Sequence, residues 1–313
     1  MLVAVIGIAI GVGLPVQTSV NARLRRSVGS PFLASLVSFG IGTLFLGLIA
    51  LVAPGRPGIP AAVVGAHPWW IWTGGLLGVV FLTGNLLLLP VLGAVQTVVL
   101  PVFGQITMGL AIDALGWFGG LVVPLGPARV VGALLVAAGV VAAVVAPGSP
   151  SSMRREEDED GPAPTTVWAA RALGLIAGAM SATQTAVNGR LGQVLGSPAR
   201  SALVSFAVGT VALTVLVLLT RTGWRVARPD GAANPWWMWI GGVLGAAFVL
   251  GNVFLVGRVG TGVTVLLTLT GSITGSLLVD HFGWLGTTRA RTRPIQVVGV
   301  LAMLAGAALT RLG

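Results

Sequence analysis

The chain has 313 residues, of which 55% are hydrophobic and only 8% are charged, and its mean hydropathy is +0.96. Soluble globular domains carry about 25% charged residues, so this composition excludes them and indicates a membrane protein that crosses the bilayer several times. The formal net charge is +10, and all 18 basic residues are arginines in or beside the short gaps between apolar runs. Arginines at such positions set membrane orientation, so we expect no nucleic-acid partner.

The composition also argues against enzymatic chemistry. There is no cysteine, and the only histidines are His67 and His281. Five of the eight acidic residues form one run at 156–160. Sequence motifs for a serine nucleophile, a phosphate-binding lysine or a zinc protease are missing. We therefore expect no enzyme, no metal site and no bound cofactor.

Ten apolar segments follow one another along the chain, each close to the ~20 residues that a helix needs to cross a bilayer. The third and fourth segments, and likewise the eighth and ninth, are separated by only a few residues around Gly93 and Gly260. This spacing predicts two tight helical hairpins. The predicted spans are 2–20, 32–53, 69–90, 95–115, 130–147, 169–188, 199–220, 236–256, 262–282 and 295–312.

The ten segments form two copies of one unit. When the sequence is shifted by 167 positions onto itself, 15 of the 27 positions from Gln17 to Thr43 are identical. The identical positions include polar residues, and polar residues would not stay in register between two unrelated apolar sequences. We predict an all-α polytopic membrane protein with ten transmembrane helices in two five-helix repeats. The first repeat is 1–147, a charged Pro/Ser-rich linker is 148–167, and the second repeat is 168–313.

An odd number of spans per repeat predicts an inverted topology, because the second copy must enter the membrane in the opposite orientation. The gaps after odd-numbered spans, together with the linker, hold 12 arginines, and the other side holds six. The more basic side of a membrane protein is normally cytoplasmic. We therefore predict a multi-pass protein of a bacterial-type inner membrane, with both termini outside and the linker in the cytoplasm.

Polar side chains inside the predicted spans are candidates for function, since burying them in lipid is costly. They either bridge neighbouring helices through hydrogen bonds or contact a substrate, and the sequence leaves both alternatives open. Asn21 and Asn188 lie at span ends, where helix capping is favoured. The candidate substrate-binding residues of the two copies are Gln17, Asn85, Gln105, Thr107, Gln184, Asn252, Ser272 and Thr274.

Asp113 and Asp280 are the only carboxylates near the bilayer, at equivalent places towards the ends of spans four and nine. One interpretation is a boundary residue that caps a helix or pairs with an arginine in a loop. The other is a proton-coupling carboxylate, which binds and releases the proton that drives transport. Both residues are therefore proton-coupling candidates.

The motifs of both copies resemble those of the YdcZ-type inner-membrane exporters in the drug/metabolite transporter superfamily. They are Gln-Thr-x-x-Asn-x-Arg-Leu in the first span, Ser-Phe-x-x-Gly-Thr in the second, Gly-Asn in the third and Asp-His-Phe-Gly-Trp ending the fourth. Copy one departs from the last motif with Ala114 and Leu115. The resemblance implies five-helix units, antiparallel assembly of fused copies and export of a small molecule. It assigns no role to a single residue.

We expect a secondary transporter that exports a small metabolite or drug-like molecule by alternating access between the repeats, with proton coupling as one hypothesis. A channel or lipid-translocating protein and a non-transporting membrane scaffold are the alternatives. The expected partners are the lipid bilayer, a small-molecule substrate of unknown identity and, as an open alternative, a second copy in a homodimer.

Overall fold

The computed structural model describes residues 2–52, 59, 61–145, 164–223, 226–227, 234–286 and 292–312. These residues form α-helices and short 3₁₀ turns, and no strand occurs among them. Most of the predicted linker lies outside the described residues. The helices are α1 (Leu2–Val28), α2 (Pro31–Val52), α3 (Ala61–Ala66), α4 (Gly74–Leu115), α5 (Pro127–Val145), α6 (Pro164–Val194), α7 (Pro198–Leu219), α8 (Gly241–Phe282) and α9 (Pro294–Leu312).

The helix boundaries follow local chemistry that the two repeats share. The helices α2, α5, α6, α7 and α9 begin at proline, whose fixed φ suits the first helical position. α4 is capped at its C-terminal end by Gly116 and α8 by Gly283, with φ of 63° and 65°. A left-handed residue that ends a helix is usually glycine, because it has no Cβ to clash.

The described residues contain six helices that are long and apolar enough to cross a membrane: α1, α2, the Gln96–Leu115 part of α4, α5, α7 and α8. α9 carries a shorter apolar stretch, Pro294–Thr310. The chain is therefore an all-helical protein with several membrane spans. Two of the helices are much longer than one crossing, since α4 and α8 have 42 residues each.

α8 reverses direction at Gly260, where the backbone leaves helical geometry with φ 79° and ψ 173°. A Cβ atom built on Gly7 of α1 would lie 2.9 Å from Cβ of Leu267 and 3.5 Å from Cδ1 of Leu255. In a straight helix these two leucines would be about 18 Å apart. Both therefore reach one glycine only because the two arms of α8 fold back beside each other.

α4 reverses in the same way. A Cβ atom on Gly174 of α6 would lie 3.0 Å from Cβ of Leu100 and 3.5 Å from Cδ1 of Leu88. The side chains around Gly93, between these leucines, are outside the described residues. The first helix of each repeat thus packs in the hairpin of the other repeat: α1 against α8, and α6 against α4.

Two further helix pairs join the repeats. A Cβ atom on Gly132 of α5 would lie 2.5 Å from the carbonyl oxygen of Gly306, and one on Gly139 would lie 2.5 Å from that of Gly299. α5 and α9 are therefore antiparallel, and at these glycines they are too close for a side chain to fit between their backbones. Inside a membrane this close packing replaces the hydrophobic effect as the main source of helix association.

α2 and α7 also cross as antiparallel partners. Gly42 faces the ring of Phe206, and Gly209 faces the ring of Phe39. The two rings stack with their centroids 4.8 Å apart.

Candidate functional site

A buried ion pair joins the end of α4 to the break in α8. Nη2 of Arg129 lies 2.7 Å from Oδ2 of Asp113, and both side chains are almost completely buried. The Asp113 carboxylate also accepts hydrogen bonds from the backbone N–H groups of Thr261, at 2.7 Å, and Gly262, at 2.9 Å. Arg129 donates a second hydrogen bond, from Nη1 to the carbonyl oxygen of Val123, at 2.8 Å.

This arrangement caps the second arm of α8 from the other repeat. The first N–H groups of a helix have no partner within it, and an anion at that end is also favoured by the helix dipole. Asp113 supplies both a hydrogen-bond acceptor and a negative charge there. We name Asp113, Arg129 and the Gly260 break the hinge clamp.

Asp280 occupies the equivalent position of the second repeat, but its surroundings differ. The residue equivalent to Arg129 is Gln296. Gln296 is buried and uses its amide elsewhere, accepting from the N–H of Arg293 at 2.9 Å and donating to the carbonyl oxygen of Ala143 at 3.2 Å. Asp280 is half-buried, and no ion pair to it occurs among the residues that the structure describes.

The carboxamides of the first helices lie directly on glycines of the opposite hairpins. In the first repeat, Gln17 contacts Gly245 and Asn21 contacts Gly241. In the second, Gln184 contacts Gly78 and Asn188 contacts Gly74 in the same manner, so this packing is equivalent in the two halves. Asn188 also donates from Nδ2 to Oγ of Ser205 at 3.1 Å.

Four carboxamide oxygens are buried and accept no hydrogen bond from the described part of the chain: Gln17 Oε1, Asn21 Oδ1, Asn188 Oδ1 and Asn252 Oδ1. A buried acceptor without a donor costs about 1–3 kcal/mol. Such atoms can accept hydrogen bonds from N–H or O–H groups of a small molecule. Of the predicted substrate-binding residues, Gln17 and Asn252 carry such an oxygen.

The surroundings of the remaining predicted site residues do not indicate a role for them. Gln105, Gln184 and Ser272 are partly buried, and Thr107 is exposed. Thr274 donates its hydroxyl to the carbonyl oxygen of Thr270 at 2.8 Å, which is ordinary behaviour for threonine in a helix. The side chain of Asn85 lies outside the described residues.

Sequence reasoning did not single out Arg129 as a partner of Asp113. The available signal was a lone arginine 16 residues after the aspartate, at a position where the second repeat has glutamine. The contacts to Thr261 and Gly262 had no sequence signal, because backbone N–H groups exist at every residue except proline. Across the described residues, no group of three His, Asp or Glu side chains could hold a metal ion.

The comparisons with known proteins agree with the two-copy organisation. The model of the family described as "Putative inner membrane exporter, YdcZ" matches twice, at residues 2–142 and 169–309. No curated protein matches the chain. One solved structure, described as "Crystal structure of protein", is 19% identical with a TM-score of 0.65, covering 99% of this chain and 96% of that chain. At that identity the likeness concerns the fold alone, whereas the family match covers both repeats, and the chain belongs to the YdcZ family of membrane exporters.

Proposed function

We propose that this protein is a secondary transporter that exports a small metabolite or drug-like molecule by alternating access between two inverted five-helix repeats. Membership of an exporter family supports membrane transport at the coarse level. The mechanism, the substrate class and the proton coupling are our own extension. They rest on how the repeats meet and on which polar atoms remain without partners.

The observation that carries the proposal is that equivalent residues of the two repeats touch each other. Oγ1 of Thr43 lies 2.9 Å from Oγ1 of Thr210, and the two residues are separated in the sequence by one repeat length of 167 residues. Phe39 and Phe206, also equivalent, stack on each other. Equivalent residues meet only on a twofold symmetry axis. Because α2 and α7 are antiparallel, that axis is perpendicular to the helices. This geometry supports the inverted-repeat arrangement that many secondary transporters have.

The proposed topology has ten crossings. Each arm of α4 and α8 contains about 20 residues and so spans about 30 Å, the thickness of the hydrocarbon core. Four arms together with α1, α2, α5, α6, α7 and α9 make ten. In this topology both termini lie outside the cell and the linker lies in the cytoplasm.

We place substrate contacts near the boundary between the repeats, where transporters of this type bind their cargo. Gln17 Oε1 and Asn252 Oδ1 would accept hydrogen bonds from the substrate. Of the two aspartates, Asp280 is the better proton carrier, because Asp113 is already committed to Arg129 and to two backbone N–H groups.

Proton movement in proteoliposomes tests the function. Vesicles with a pH gradient and an internal pH-sensitive dye are challenged with a panel of amines, amino acids, sugars and organic acids. The proposal expects saturable, substrate-dependent proton flux in the wild type and its loss in Asp280→Asn. Gly257→Ala is a matched control, since a Cβ there meets open space. Unsaturable conductance would favour a channel, and no flux with any compound would count against transport.

The topology has its own test, because the chain contains no cysteine. Arg26 and Gln193 are exposed and occupy equivalent positions in the two repeats. Single variants Arg26→Cys and Gln193→Cys are labelled in intact cells with a membrane-impermeant maleimide. Inverted repeats require that only one of the two reacts from outside. Equal labelling of both would contradict the inversion.

A further inference from the structure

A groove of about 300 Å³ lies between the C-terminal end of α2 and the N-terminal end of α7. Its lining is apolar apart from one arginine. The lining residues include Gly47, Ala50 and Leu51 from α2, and Arg200, Leu203 and Val204 from α7.

Arg200 brings to this apolar surface a cation that has no partner among the described residues. Its Nε and Nη2 atoms are buried and have no hydrogen-bond partner among the described residues. A guanidinium in apolar surroundings is costly unless an anion meets it. In the sequence the acidic run at 156–160 comes four residues before α6 and Arg200 comes six residues after it, and the 31 residues of α6 span about 45 Å. The linker is therefore a poor source of that anion.

The depth of the groove matches a lipid. Arg200 is the third residue of the Pro198–Leu219 span, and Ala50 and Leu51 are close to the end of the Pro31–Val52 span. The charged end of the groove is thus level with lipid headgroups. Gly47 and Leu203 lie about one helical turn further into the membrane, at the level of the acyl chains.

We infer that this groove binds an anionic phospholipid, with its phosphate on the Arg200 guanidinium and one acyl chain along the α2 and α7 surface. Arginine suits phosphate because its planar N–H groups can donate two parallel hydrogen bonds. Charge complementarity selects the headgroup, and the apolar lining selects a lipid over a free anion.

The second copy of this surface is closed, so the inference specifies one lipid for each chain. The residue equivalent to Arg200 is Leu33. Leu33 is 2% exposed and packs in an apolar cluster with Met238, Trp237 and Val217. The duplicated sequence has therefore diverged into a filled surface in one half and a charged groove in the other.

Native mass spectrometry of the purified full chain tests the inference. The protein is mixed with equal amounts of phosphatidylglycerol and phosphatidylcholine, and the retained lipid is counted. One phosphatidylglycerol should be retained with a preference of about fivefold, corresponding to about 1 kcal/mol for one arginine at the membrane surface. Arg200→Gln should reduce this preference to parity, while Arg258→Gln, an exposed arginine outside the groove, should leave it unchanged.

The apolar part of the groove is tested separately. Gly47→Leu should reduce retention of phosphatidylglycerol by about fivefold, because the new side chain enters open space in the groove. Gly40→Leu on the same helix also meets open space but lies outside the groove, and it should have no effect. Melting temperatures in detergent confirm that the variants are folded, and Arg200→Lys, which keeps the charge, should retain part of the preference.

Two results would overturn the inference. Unchanged lipid preference in Arg200→Gln would mean that the arginine only extends to water. Displacement of the lipid by millimolar inorganic phosphate, together with a silent Gly47→Leu, would assign Arg200 to a soluble anion instead.

Discussion

The two repeats place the same aspartate at equivalent points and use it differently. Asp113 forms the hinge clamp with Arg129 and holds the break in α8. Asp280 lies in the repeat in which Gln296 replaces that arginine, and the Gln296 amide is hydrogen-bonded to other groups. Asp113 is thus anchored by an ion pair and two backbone N–H groups, whereas no ion pair to Asp280 occurs among the described residues. Duplication preserves the helices more faithfully than it preserves the electrostatics between them.

Removal of the hinge clamp should cause the greatest loss of stability. Asp113→Ala should destabilise the protein by about 3–5 kcal/mol, because it leaves Arg129 buried without a counter-charge. Asp280→Ala should cost less than about 1 kcal/mol, since no described ion pair is lost. Unfolding in mixed detergent micelles, followed by circular dichroism, measures both. Equal losses of stability would show that the two aspartates are structurally equivalent.

The second effect concerns the break that the clamp holds. Gly260→Ala should destabilise the protein by about 1–3 kcal/mol, because its backbone conformation is nearly restricted to glycine. A Cβ there would also lie 2.9 Å from Oδ2 of Asp113. The control is Gly257→Ala, three residues earlier in open space, which should be neutral or slightly stabilising. A melting temperature for Gly260→Ala that matches the control would contradict the strained hinge.

A third pair of variants tests a contact that is equivalent in the two repeats, the packing of a carboxamide on a glycine. Gly245→Ala and Gly78→Ala each force a methyl group against a carboxamide, Gln17 in one case and Gln184 in the other. Both should cost about 1 kcal/mol, the low end of overpacking, because the long amide side chains can move. The same unfolding assay should give equal values. A difference of several kcal/mol would mean that these contacts, too, have diverged.

The weakest effect on stability is expected at the symmetry axis, where Thr43 meets Thr210. Thr43→Val or Thr210→Val removes one hydrogen bond between equivalent residues, worth about 0.6 kcal/mol in a membrane. Each single variant and the double variant should lose about the same amount, since one bond is shared. A double-mutant cycle measures this, and strictly additive losses would argue that the hydroxyl groups act independently.

Sequence patterns predicted the helical class, the duplication and the family, because these depend on composition and on polar residues in register. The turn at Gly260 was also predicted, since only a few residues around this glycine separate two apolar segments that are each long enough for one crossing. The exchange of first helices, in which α1 packs in the α8 hairpin and α6 in the α4 hairpin, was not predicted. Gly7 and Gly11 indicate a face for close packing, but small residues carry no information about which helix will fill that face.

The candidate site was less predictable for a related reason. Asp113 and Gln17 could be selected as polar residues in apolar segments, but their roles depend on what the fold brings to them. Gln17 packs against a glycine of the other repeat, and Asp113 accepts hydrogen bonds from two backbone N–H groups of the other repeat. Contacts between residues more than 140 positions apart cannot be read from local spacing.

The exchange of first helices also determines how the molecule can be made. α1 leaves the ribosome more than 200 residues before the hairpin of α8 that covers it, and the α4 hairpin waits for α6. At a synthesis rate of about 5–20 residues per second, α1 waits at least about ten seconds in the membrane with its glycine face uncovered. Fusion of the repeats ensures that the missing half arrives from the same ribosome, in equal number and beside its partner.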